Sequence, residues 1–311
     1  MSHSEPVWAV TLFSQMNILG IGIATLDIIN TVDGYPAEDS EVRAVRQQQR
    51  RGGNVTNTLA VLSQQGHCCS WAGVLANEPD TQYIIDDLKC HNIDYRYCRH
   101  ITGGKAPASY ITLNQRNGSR TIVHYRNLPE FDFPNFNMID LAPYDWVHFE
   151  GRNIEETRKM LEKCAAKNLS LPRSLEVEKV RPGIETLFRL ANVLLFSKDY
   201  AARQGFDNGT DFLHFIRKQA PHAILVCAWG TQGASAMDAN GSVFASRAYP
   251  PAKVIDTTGA GDVFNAGIID GLLRNQKLEQ TLSAACRLAG HKCGIPGING
   301  LLRSYPGPVA F

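Results

Sequence analysis

The sequence predicts an α/β fold in three layers, α/β/α, with a mostly parallel central sheet and a small β-sheet lid. Two observations carry this. Short apolar runs alternate with longer helix-periodic stretches over most of the chain, the pattern of βαβ units around a parallel sheet. Two segments then break the alternation with period-two, half-exposed patterns of their own.

Taken in order, Ile18–Ile23, Cys69–Val74, Trp146–Phe149, Val193–Phe196 and Ile224–Cys227 are short apolar runs, as buried parallel strands are. Val55–Gln65, Thr81–His91, Ile154–Lys167 and Asp211–Lys218 repeat their apolar residues at helical spacing. Two more helices, Ala260–Arg274 and Leu278–Lys292, close the chain. The first exceptional segment, Ile28–Gln47, holds Asp33-Gly34-Tyr35-Pro36 and then a strand-like Glu41–Val45. In the second, Pro107–Leu113 and Arg120–Tyr125 flank Asn117-Gly118, a hairpin signal. Both read as antiparallel pieces of a lid, with a motionless surface hairpin as the rival reading. The division that follows is 17–28, 46–106 and 126–311 for the main domain, 29–45 and 107–125 for the lid, and 1–16 as an extension.

Composition narrows the function classes. The 44% hydrophobic and 20% charged content is that of a globular chain, so disorder is excluded. A formal net charge of +1 offers no basic footprint, so no nucleic-acid partner is expected. No run approaches the ~18 apolar residues of a membrane span, and Val7–Phe13 lacks the flanks of a signal peptide. The 8 cysteines show neither CxxC nor zinc spacing, so reduced thiols and a cytoplasmic location are expected.

Chemistry concentrates in Val254–Gly267, where an apolar approach leads through Asp256-Thr257-Thr258-Gly259-Ala260-Gly261-Asp262 into a helix. Gly259 and Gly261 allow a tight bend whose N–H groups converge at the helix N-terminus, where negative charge is favoured. A migrating phosphoryl group needs such a cradle for its equatorial oxygens. Asp262 follows in the first helical turn, placed to take a proton from an attacking hydroxyl. By itself an Asp there also reads as a helix-terminal charge; Gly-Ala-Gly before it tips the reading to catalysis.

Arg51-Gly52-Gly53-Asn54-Val55-Thr56-Asn57 sets two amides three apart on one helical face, with donors and acceptors suited to vicinal hydroxyls. Asn54 also reads as a helix N-cap. Leu19–Asp27 imitates a dinucleotide GxGxxG, but Thr25 replaces the last glycine and a strand follows, so that reading is rejected. Gly103-Gly104-Lys105-Ala106 likewise lacks the first glycine and the hydroxyl of a Walker loop.

The Asp256–Asp262 run resembles the C-terminal signature of the PfkB, or ribokinase-like, carbohydrate kinases, and Gly52–Asn57 resembles their N-terminal one. The resemblance implies a ribokinase-like fold and ATP with Mg2+, and leaves a monovalent cation (K+) open. It implies Asp262 as catalytic base and the Gly259-Ala260-Gly261 amides as anion hole. Acceptor sugar falls to Asp27, Gly53, Asn54 and Asn57, with Asn114 a weaker candidate. Trp229-Gly230-Thr231-Gln232-Gly233 resembles the nucleotide segment, joined by Gly259, Gly261 and Lys198, although a plain hairpin turn explains it too. Tyr35–Glu41, His148–Asn153, Leu175–Lys179, Phe196–Asp199, Val226–Trp229 and Ala289–Gly294 are similar to the ketohexokinase subgroup. That likeness implies transfer to the 1-hydroxyl of D-fructose. It also implies a homodimer clasped through the lids, with Asp39 reaching the partner's site. Other acceptors remain open: the fructose 6-hydroxyl, ribose, 2-keto-3-deoxygluconate or a nucleoside. A non-catalytic sugar or nucleotide sensor is the remote alternative. No metal ligands are assigned, because Ser197-Lys198-Asp199-Tyr200 stands where many relatives carry Asn-x-x-Glu. Glu150, Glu176 and Glu178 read either as water-mediated ligands or as ordinary surface and ion-paired carboxylates.

Overall fold

The computed structural model describes residues 15–167 and 171–306; the apolar stretch Val7–Phe13 lies outside them. The chain opens with β1 (Asn17–Ile21), β2 (Thr25–Val32), β3 (Arg46–Gly52), α1 (Asn54–Gln64), β4 (Cys68–Ala72), β5 (Val74–Ala76) and α2 (Thr81–Cys90). It continues through β6 (Ile93–Asp94), β7 (Arg99–Ile101), β8 (Ala108–Asn114), β9 (Arg120–Tyr125), α3 (Phe133–Asn137), β10 (Trp146–Glu150) and α4 (Ile154–Lys167). Next come β11 (Arg173–Val177), β12 (Val193–Phe196), α5 (Lys198–Arg203), α6 (Gly209–Arg217) and β13 (Ile224–Ala228). The last elements are β14 (Ala234–Met237), β15 (Val243–Ser246), α7 (Ala260–Leu273) and α8 (Leu278–Cys293).

Nine strands form the main sheet in the order β15-β14-β13-β12-β11-β10-β1-β4-β6. From β6 to β13 the neighbours are parallel, and β14 and β15 add an antiparallel edge. Strand β12 shows why the sheet needs helices on both faces. Val193 and Leu195 pack with α1, α7 and α8 residues such as Leu59, Val263 and Leu282. Leu194 and Phe196 pack with α3, α4 and α6 residues such as Phe136, Met160 and Phe212. Each such side chain contributes about 1.5–3 kcal/mol of transfer free energy before chain entropy is counted. Strand β11 was not among the expected strands. It begins with Arg173 and carries Glu176, so an apolar-run criterion passes over it although every residue is buried.

A second, four-stranded sheet runs β3-β2-β8-β9. The pairs β2–β3 and β8–β9 are antiparallel as expected, but β2 and β8 run parallel, which corrects the all-antiparallel reading. Glu41–Val45 forms no strand. The partner of β2 is instead Arg46–Gly52, a polar run that pairs through its backbone and passes from exposed residues at Arg46 to buried ones at Arg51 and Gly52. Thr25–Ile28 also pairs within this sheet, so the sheet extends beyond the 29–45 and 107–125 segments read from sequence.

This topology fixes where a site can form. From β1 the chain passes first to β4 on one side, then to β10 on the other. The sheet therefore changes direction between β1 and β10, and the crevice at the C-terminal ends of those strands is where open α/β sheets bind ligands. Among the described residues no helix is long and apolar enough to cross a membrane, and all 8 cysteines are free thiols.

Candidate active site

A cleft of about 530 Å³ opens at that switch point, between the main sheet and the second sheet. Its floor is the start of α7. Gly259 is the N-cap, held at φ 79° in the left-handed region where a side chain would be strained. The bend turns the chain straight into α7, whose first-turn N–H groups have no intrahelical acceptor; Ala260 N–H makes only a long bond of 3.3 Å to Thr257 O. A Cβ built on Gly261 would meet no atom within 4 Å. Packing therefore does not require glycine there, and the open face lies on the cleft.

Asp262 follows, 7% exposed and on the cleft wall. Its Oδ2 accepts a hydrogen bond from Asn57 Nδ2 at 2.8 Å, and Asn57 Oδ1 in turn accepts from Arg51 Nη1 at 2.9 Å. Thr58 Oγ1 donates to the Asp262 carbonyl at 3.2 Å, which fixes the helix start. No ion pair forms at this carboxylate among the described residues. Burial pushes Asp262 well above the usual carboxylate range; the Asn57 bond opposes the shift, and the nearby Glu178 and Glu150 charges add to it.

Three more carboxylates end the central strands. Glu150 closes β10; its Oε2 accepts from Ile23 N–H at 3.1 Å and its Oε1 from Arg152 at 3.2 Å. Glu176 Oε1 accepts from Asn265 Nδ2 at 3.0 Å, while its Oε2 is buried with no partner. Burial, with Asp262 and the other glutamates beside it, raises Glu176 well above the ordinary range. Glu178 Oε2 accepts from Asn54 Nδ2 at 3.1 Å. That bond corrects the capping reading of Asn54. Gly53 is the N-cap of α1, and Asn54 turns its amide across the cleft instead.

Toward the second sheet, Asp27 accepts from Thr25 Oγ1 at 2.9 Å. Burial raises its pKa against the pull of Thr25, Ser109, Arg51 and His124. Arg120 of β9 reaches over to donate to Thr257 Oγ1 at 3.0 Å. The cleft thus collects Asp27, Gly53, Asn54, Asn57, Gly259, Ala260, Gly261 and Asp262, as the two sequence signatures suggest. It also presents Ser109, His124, Arg152, Lys179, Arg181 and Asn265, which sequence reasoning missed. Asn265 was the most findable of these, lying three residues after Asp262 on the same helix.

Other expected residues lie elsewhere. Asn114, at the far end of β8, is buried and accepts from Arg116 N–H at 2.9 Å. Asp39 sits in an exposed loop at φ 57°. Trp229 packs into the core, with Lys198 stacked over its ring at 5.9 Å. Gly230 and Thr231 form an exposed turn just beyond Ala228, which does line the cleft. Gly233 is required by the local backbone, which holds it at φ 92°, and by packing, since a Cβ there would sit 1.9 Å from Ser246 O.

Unpaired amide donors at a helix start, beside a buried carboxylate, are features that suit an enzyme moving an anionic group onto a hydroxyl. The particular family follows from comparison. Residues 15–301 match the pfkB family of carbohydrate kinases, and the chain belongs to that family. It is 37% identical to mouse ketohexokinase over 296 residues, covering 93% of this chain and 99% of that one. Fructosamine kinase FrlD of Bacillus subtilis is 25% identical over 82% of this chain and 87% of its own. Among solved structures, Arabidopsis thaliana ribokinase in complex with ribose and ATP superposes with a TM-score of 0.76 at 17% identity, covering 95% of this chain and 100% of that one. Ribokinase from Giardia lamblia gives 0.78 at 13%, over 93% and 97%. The protein is a sugar phosphotransferase of an ATP-dependent kinase family, with the ribokinase-like fold.

Proposed function

We propose that the protein transfers the γ-phosphoryl group of ATP to the 1-hydroxyl of D-fructose. The observation that carries this reading is Asp262: buried at the cleft wall, free of ion pairing among the described residues, and adjacent to a glycine whose open face meets the cleft. Asn57 occupies Oδ2, so Oδ1 is left to accept the proton of a bound hydroxyl. The raised proton affinity of the carboxylate strengthens it as a base. As the O–P bond to the sugar forms and the bond to ADP breaks, the amides around Gly259–Gly261 balance charge on the equatorial oxygens. Asp27, Asn54 and Asn57 bind the acceptor hydroxyls, with Gly53 allowing close approach. Nucleotide lies toward Ala228 and the Trp229–Gly233 turn, with Lys198 nearby.

Mg2+ fits the glutamate wall only through water. Among the described residues no three metal-ligating side chains converge on one point, yet Glu176 Oε2 is buried without a partner, and Mg2+ keeps much of its hydration. Glu150, Glu176 and Glu178 would hold it that way, and the ion would neutralise phosphate charge when bound.

The exposed Tyr110, Val123 and Tyr125, on one face of β8 and β9, support a homodimer joined through this sheet, with Asp39 reaching the neighbouring site. Sedimentation of the protein as a monomer at micromolar concentration would remove that part. The free thiols suit a cytosolic setting. An acceptor screen with ATP and Mg2+, its products resolved by NMR, tests the whole. Fructose 1-phosphate is the product expected as most efficiently formed. Preference for the 6-hydroxyl, ribose, 2-keto-3-deoxygluconate or a nucleoside would overturn the substrate assignment.

A further inference from the structure

Lys292, near the end of α8, is fully buried at 0% exposure, a rare position for an ammonium group. Among the described residues, both of its polar contacts go to Asp256. Nζ donates to the Asp256 carbonyl at 2.6 Å and stands 3.3 Å from Asp256 Oδ2. The same carboxylate accepts Thr258 N–H at 2.9 Å and Gly297 N–H at 2.9 Å, and pairs with Arg50 of β3 at 2.7 Å. The N–H groups of Ile255 and Asp256 donate to Cys293 O at 2.8 and 3.2 Å, so α8 grips this stretch from both chain and side chain. Three residues later comes the bend at Gly259.

We propose that Lys292 is a positioning residue for phosphoryl transfer, a resident cation that clamps Asp256 so that the Thr258–Gly261 backbone keeps its face to the incoming phosphoryl group. The inference rests on the anion-hole reading above. Stability is a poor reason for this arrangement, because a buried ion pair is often matched or bettered by apolar side chains of similar volume. Methionine would fill the space without the desolvation cost. It would not hold the carbonyl and the carboxylate of one residue at the same time.

Lys292→Met, Asp256→Asn and Gly261→Ala in the full chain provide the test, with kcat and KM taken per folded molecule. For Lys292→Met, kcat is expected to fall at least ~10-fold, as a misplaced cradle demands, with the KM for D-fructose within about twofold. Lys292→Ala leaves room for an external amine, so added methylammonium should restore part of kcat in that variant and leave the wild type unchanged. Wild-type kcat in Lys292→Met, whatever its Tm, would overturn the inference and make Lys292 purely structural. If Lys292→Met does not fold, Asp256→Asn decides: a kcat loss at unchanged KM supports the clamp, and full kcat overturns it. Gly261→Ala separates the two readings. Its full activity would remove the anion hole and the clamp together, whereas an inactive Gly261→Ala beside a fully active Lys292→Met would remove the clamp alone.

Discussion

The turn Asp256–Asp262 and the strands β8–β9 face each other across one cleft, yet they are held in place very differently. In the turn, Asp256 is gripped by Lys292, Arg50 and two backbone amides, and Asp262 is held by Asn57. Burial opposes ionisation of Asp256, but Lys292, the Gly297 and Thr258 amides and Arg50 outweigh it and hold its carboxyl far below the usual range. Strand β9 is exposed along its whole length, and among the described residues Arg120 is its side-chain tie to the turn. On the proposed reading, the difference separates a preorganised chemical end from a sparsely tied wall beside the sugar.

Three variants or measurements would break or sharpen that contrast. The largest effect is expected from Gly261→Ala. Its Cβ points into open space, so the fold should hold, and an alanine in the first helical turn costs nothing in propensity. On the proposed reading the same methyl group would intrude on the phosphoryl group, so kcat should fall by ~10²-fold or more, the scale of losing an oxyanion donor. A fully active Gly261→Ala would show that the turn holds no phosphate. Asn57→Ala should act next. It removes the partner of Asp262 and a proposed ligand of the sugar hydroxyls, so the KM for sugar should rise about tenfold while ATP affinity, measured by calorimetry, stays put. Equal losses in both would make Asn57 structural. The smallest effect is one of pH. Because burial raises the pKa of Asp262, kcat/KM should fall on the acid side with a midpoint above the ordinary ~3.9 of an aspartate. An acid limb at the ordinary value would place Asp262 in solvent-like surroundings.

Much of the site was legible because its chemistry is local. Gly259 through Asp262 and Gly53 through Asn57 are short runs at helix starts, where backbone direction follows from the next turn, and both runs line the cleft. The parallel core was legible from buried runs such as Val193–Phe196. What escaped depends on long-range pairing. Strand β11 brings Glu176 to Asn265, 89 residues away in sequence, and no periodicity announces that bond. The polar strand Arg46–Gly52 is set by backbone pairing with β2 and by distant partners of Arg50 and Arg51 rather than by an apolar pattern, so the apolar Val42 and Val45 drew the expected strand too early. Lys292 was hidden for the same reason. A lysine near a helix C-terminus ordinarily reads as a solvated charge near the dipole.

The Asp262→Asn variant carries the most direct measurement. Its single-turnover rate of phosphoryl transfer from bound ATP should drop by at least ~10² relative to wild type, the lower range for general-base catalysis. Its sign on stability is equally definite. A folded-state pKa raised by burial means that the ionised carboxylate costs stability at neutral pH, so Asp262→Asn should match or exceed the wild-type Tm near pH 7, with the advantage vanishing as the wild-type group protonates in acid. A folded, ATP-binding Asp262→Asn that transfers phosphate at the wild-type rate would contradict the account.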